Sequence, residues 1–97
     1  MNNIEKQNIY NNIISFLKRY NAKKISVFGS YLKDLETPHS DIDILVEFSD
    51  KISLLQIVNI EQNLSDFIGI KVDLLTKSSI SPYIFNNIKD SIKVLYQ

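Results

Sequence analysis

The chain has no cysteine and no tryptophan, one histidine, and two residues each of glycine and proline. Without cysteine there are no disulfides and no thiolate metal sites. A lone His39 does not make a histidine-based zinc site. Eleven basic side chains balance eleven acidic ones. Proteins that hold nucleic acid by neutralising phosphates usually carry a basic surplus, so the balance disfavours nucleic acid as the main partner. No apolar run approaches the roughly 20 residues needed to cross a bilayer. The first residues, Met1-Asn2-Asn3-Ile4-Glu5-Lys6, show no basic stretch leading into an apolar one. The expectation is a cytoplasmic protein with no membrane association.

What is present is ordinary globular material, 44% hydrophobic and 23% charged. Ninety-seven residues predict one domain over 1–97, with no room for a second. Ile9, Ile13, Phe16, Leu17 and Tyr20 share one helical face, predicting a helix over 4–20 with Asn21 as its left-handed stop. Lys24 to Phe28 is a short strand rich in β-branched and aromatic residues. Tyr31 to Glu36 is a candidate short helix before Thr37-Pro38.

Asp41 to Phe48 is the clearest strand. Ile42, Ile44 and Val46 alternate with Asp41, Asp43, Leu45 and Glu47, so one face enters a core while the other carries carboxylates. A helix follows over about 53–68, with Ser53-Leu54-Leu55-Gln56 as a capping box and Gly69 as its stop. Ile70 to Thr76 is a third strand. Ser81-Pro82 then starts a helix running to about 91. Residues 94–96 fit either an extension of that helix or an edge strand. The fold class is α/β (α+β): a small mixed sheet of three to four strands with helices mainly on one face.

Three features bear on chemistry. Gly29-Ser30 sits between a strand and a helix start, where glycine allows a tight turn and a close backbone approach. Alone, such a turn is most often a plain loop. Asp41-Ile42-Asp43 places two carboxylates on one side of a strand. Two such charges repel unless a cation lies between them, and hard oxygen donors select Mg²⁺ or Mn²⁺. Alone, they are more often two surface aspartates on a solvated edge. Asp73 interrupts the apolar run Ile70-Lys71-Val72-Asp73-Leu74-Leu75 and faces the first pair if the two strands adjoin.

Taken together, Gly29-Ser30, ten residues, then Asp41-x-Asp43, with Val72-Asp73-Leu74-Leu75 and Ser81-Pro82-Tyr83 downstream, resemble the minimal nucleotidyltransferases of the DNA polymerase β superfamily. The likeness runs from about residue 9 to 96. It implies transfer of a nucleoside monophosphate from a nucleoside triphosphate, with ATP as donor and Mg²⁺ as cofactor. Asp41 and Asp43 would hold two divalent ions, and Asp73 would complete one ion's shell and help activate the acceptor hydroxyl. Gly29 and Ser30 would hold the β- and γ-phosphates, with Lys33 and Ser40 as further nucleotide contacts.

The resemblance also implies a partner. Minimal nucleotidyltransferases of this kind resemble antitoxins paired with all-helical HEPN toxins, which they silence by adenylylating a tyrosine. The expected state is therefore a hetero-oligomer with such a toxin. Leu32-Lys33-Asp34 departs from the family's Ala-Arg-Gly: Lys33 keeps a charge but loses the planar grip of arginine, and Asp34 adds an anion. That departure leaves open a binding module that neutralises its partner by complex formation alone. Among lesser residues, Tyr31 and Tyr83 suit packing at helix starts, Glu47 reads as solvated, and Glu61 marks a candidate partner-facing margin.

Overall fold

The computed structural model of the chain describes residues 3–29 and 41–97. Helix α1 spans Asn3–Lys18, strand β1 Ala22–Phe28, β2 Ile42–Phe48, helix α2 Leu54–Ile68, β3 Val72–Thr76, helix α3 Pro82–Ile88 and β4 Lys93–Tyr96. A 3₁₀ turn, Lys89–Ser91, links α3 to β4. The expected stretch 82–91 is therefore helical throughout but tightens at its end. The undecided segment 94–96 is a strand, pairing Val94 with Ser26 and Tyr96 with Ile25 on the flank of β1. No helix among the described residues is long and apolar enough to cross a membrane.

The terminators act as their side chains dictate. Asn21 takes φ 63 after α1, in the left-handed region that asparagine tolerates. The Ser53 hydroxyl accepts the Gln56 N–H at 3.2 Å and so caps α2, while Gly69 ends it at φ 74. Ser81 caps α3 in the same way through the Ile84 N–H, with Pro82 in the first turn.

The sheet order is β3-β2-β1-β4. β2 runs antiparallel to β1 and parallel to β3, and β1 runs antiparallel to β4. One face is dry. Ile25, Val27, Ile42, Ile44, Val46, Val72 and Leu74 pack there against Tyr10, Ile13, Phe16 and Leu17 of α1 and Ile60 and Leu64 of α2. Each fully buried aliphatic side chain contributes about 1.5–3 kcal/mol. The opposite face carries Asp43, Leu45 and Glu47, and α3, which lies over part of it, has no buried residue.

The outer edge of β3 has an unexpected covering. The Glu61 carboxylate accepts the Leu74 N–H at 2.7 Å, and the Ser65 hydroxyl accepts the Val72 N–H at 2.9 Å. Both acceptors project from α2. Glu61 is thus not a partner-facing margin: it satisfies a strand edge that would otherwise offer unpaired donors. Its place beside the apolar stripe follows, because the stripe packs on the sheet and the stripe's margin meets the sheet's edge. Glu61→Ala is expected to lower stability by about 1–2 kcal/mol in urea denaturation, since it strands a part-buried amide. Glu61→Gln, which keeps an acceptor, is expected to recover most of that loss.

Candidate active site

β2 and β3 lie in parallel register, with Asp43 opposite Asp73, Leu45 opposite Leu75 and Ile42 opposite Val72. Because side chains alternate, Asp43 and Asp73 emerge side by side on the open face. Both are half-buried. Burial, the Asp73 charge, a hydrogen bond to the Asp73 side chain and the Asp41 charge together push the Asp43 carboxyl up from 3.8 to about 6. Burial is the largest of these causes, since removing water penalises the charged form most.

Asp41 stands just before β2, where the Ile42 N–H donates to the Lys71 carbonyl at 2.9 Å. Its carboxylate lies 3.6 Å from the Lys71 ammonium. That pair is solvent-exposed, so it holds Asp41 only weakly. Sequence reasoning passed over Lys71. The signal was there, because Lys71 is two residues before Asp73 and so shares its side of the chain.

Gly29 closes the site from β1. Its φ is +82, and a Cβ added there would overlap the Asp43 carboxylate. Glycine is thus required twice: for the left-handed backbone, and for the space that Asp43 occupies. Phe28, opposite Asp43 in the β1–β2 register, flanks the carboxylate on the same row. Ser30, Lys33 and Ser40 lie outside the described residues, as do Tyr31, His39, the Leu32-Lys33-Asp34 departure and the expected short helix at 31–36. Tyr83 does not pack at its helix start; it is 77% exposed. Glu47 is half-buried rather than fully solvated.

The arrangement thus brings Asp43 and Asp73 together, with Asp41 within electrostatic reach. Among the described residues no three acidic or histidine side chains are gathered closely enough to hold a metal ion. The donor set nevertheless fits a hard divalent cation. All its donors are carboxylate oxygens, and a bound cation would offset both causes that raise Asp43, burial first and then the charges of Asp73 and Asp41.

Comparison with known proteins places this geometry. The family described as nucleotidyltransferase domain matches residues 10–95. A candidate protein adenylyltransferase of Methanocaldococcus jannaschii is 45% identical over 76 residues, covering 77% of this chain and 78% of that one. Another from the same organism is 40% identical over 84 residues, covering 86% and 90%. Among solved structures, a toxin–antitoxin with AMP-PNP superposes with TM-score 0.82 at 28% identity, over 90% of this chain and 72% of that one. A tri-AMPylated Shewanella oneidensis HEPN toxin in complex with MNT antitoxin gives TM-score 0.77 at 27% identity, over 93% and 71%.

Two predictions follow from the crowding. Gly69 has the same backbone sign as Gly29 but open space around it. Gly69→Ala should therefore cost only about 1–2 kcal/mol of stability, whereas Gly29→Ala should also displace Asp43 and abolish turnover. Asp43 binds a proton more tightly folded than unfolded, so its contribution is present below pH 4 and is lost as pH rises through about 6. In metal-free buffer, the melting temperature of Asp43→Asn should exceed that of the unsubstituted protein by a margin that grows from pH 4 to 7. Added Mg²⁺ should shrink that margin at pH 7.

Proposed function

The chain belongs to the nucleotidyltransferase domain family, and on that premise we propose that it transfers AMP from ATP to a tyrosine hydroxyl of a helical HEPN-type toxin, neutralising it. The observation that carries this reading is the Asp43–Asp73 pair on the open sheet face, with Gly29 pressed against Asp43. Support for the donor comes from the AMP-PNP complex, and for the acceptor class from the tri-AMPylated toxin of the Shewanella oneidensis pair.

In this reading Asp41, Asp43 and Asp73 would hold Mg²⁺, whose charge would neutralise the triphosphate and the developing pyrophosphate. The chain's own residues do the positioning. Asp73, beside Asp43 on the edge strand β3, takes the proton from the acceptor hydroxyl as its oxygen bonds to the α-phosphorus. The bond from the α-phosphorus to the bridging oxygen breaks, and pyrophosphate leaves. Gly29 lets the chain approach the triphosphate where any side chain would collide with Asp43, and Ser30, Lys33 and Ser40 contribute phosphate contacts. Lys71 releases Asp41 when a cation competes for its carboxylate, a small cost because the pair is exposed.

The test is direct. The protein is incubated with Mg²⁺, α-labelled ATP and the helical protein encoded beside it. Label is expected on the partner, with Asp43→Asn lowering the rate roughly hundredfold or more and Tyr→Phe at the acceptor abolishing it. Tight binding and neutralisation by both forms, with no label transferred by either, would replace this reading with a binding module.

A further inference from the structure

Strand β1 carries one residue that its pattern does not explain. Ile25 and Val27 enter the dry core, and alternation turns Ser26 between them to the open face. Ser26 is nevertheless only 2% exposed, and Leu45, its register partner on β2, is 7% exposed. The α3 segment lies over this row, and between the two is a cavity of about 170 Å³. Ser26 and Leu45 line it from the sheet and Phe85 from α3. Lys24, Lys77 and Lys89 also line it, with Glu47 the single carboxylate among them. The Lys77 ammonium sits 5.6 Å from the centre of the Phe85 ring.

The Ser26 hydroxyl has no hydrogen-bond partner among the described residues. A buried hydroxyl costs free energy unless something satisfies it. The three lysines come from separate stretches: Lys24 from β1, Lys77 from the connection after β3, and Lys89 from the 3₁₀ turn after α3. Only folding brings them together, and none is ion-paired among the described residues. Three like charges gathered on one small cavity repel, and Glu47 offsets only one of them. An anion relieves that repulsion and accepts from the Ser26 hydroxyl. Ammonium groups act as point charges, which suits a tetrahedral phosphate. The volume is well below the roughly 300 Å³ at which pockets for whole small molecules begin, so it admits one such group rather than a nucleotide.

We propose that this cavity is a phosphate-binding site, separate from the carboxylate row, whose occupant pins the α3 segment to the sheet. The Ser26 hydroxyl donates to a phosphate oxygen, and Lys24, Lys77 and Lys89 balance the charge. α3 has no buried residue of its own. A ligand that ties both of its flanks to β1 therefore stabilises the folded chain by binding it alone. The occupant is inorganic phosphate, or the terminal phosphate of a molecule whose remainder lies outside the cavity. The site needs neither Mg²⁺ nor the transfer reaction. In this it differs from the acidic row, which repels anions until a cation joins them.

The experiment is thermal unfolding and ¹⁵N–¹H NMR of the whole protein in EDTA, titrated with sodium phosphate, with AMP, and with sodium chloride at matched ionic strength. Phosphate is expected to raise the melting temperature saturably and to shift the Ser26, Leu45 and Phe85 amides, and chloride to do neither. Lys24→Gln/Lys89→Gln should weaken phosphate binding roughly tenfold, and Asp43→Asn should leave it unchanged. Ser26→Ala separates ligand binding from packing. Without phosphate it should be at least as stable as the unsubstituted protein, because it removes an unpaired buried hydroxyl; with phosphate it should gain far less. The same shifts with AMP would support a terminal phosphate as occupant, and shifts with phosphate alone would support the free ion. Equal responses to phosphate and chloride, or binding undiminished in Lys24→Gln/Lys89→Gln, would overturn the proposal. So would a Ser26→Ala protein that loses as much stability without phosphate as with it.

Discussion

The parallel pairing of β2 with β3 is the constraint on which the site depends. It puts Asp43 opposite Asp73 on a half-buried face, where two carboxylates repel each other in poor solvation. The fold does not relieve this repulsion by spreading the groups apart. It supports them from below with Ile42, Ile44, Val72 and Leu74, all buried against the two long helices. A one-residue slip of β3 would send Asp73 into that apolar layer, so the hydrophobic pattern and the carboxylate pair enforce the same register.

Because the pairing is parallel, the connection from β2 to β3 must cross the sheet, and α2 makes that crossing. The same helix then covers the outer edge of β3 through Glu61 and Ser65. One element therefore provides the crossover, half of the core and the edge protection. On the other side β4 occupies the flank of β1. With its outer edge engaged by α2, β3 is a poor place for strand addition.

That face is graded along the strands. The first row is acidic, with Asp73, Asp43 and the nearby Asp41; the next is small and apolar, with Leu75, Leu45 and Ser26; the last is lysine-rimmed. An acidic row repels anions unless a cation accompanies them, whereas a lysine-rimmed one attracts them unaided.

Much of this was legible in the residue order. The alternation over 42–48, the Ser53 and Ser81 caps, and the left-handed stops at Asn21 and Gly69 are local effects, set by side-chain chemistry within a few residues of the backbone they control. The spacing from Gly29 to Asp41 and Asp43 pointed to the family by its resemblance to a known motif. The tertiary structure alone decided what depends on strands far apart in the chain. It made Val94–Tyr96 an edge strand, because the flank of β1 was free to receive it. It turned Glu61 from a surface acid into the partner of a strand amide, and gave Asp41 to Lys71. It also explained Gly29 in full. The sequence supplied a glycine fit for a tight turn, but only the fold brought the Asp43 carboxylate into the space where a side chain would otherwise stand.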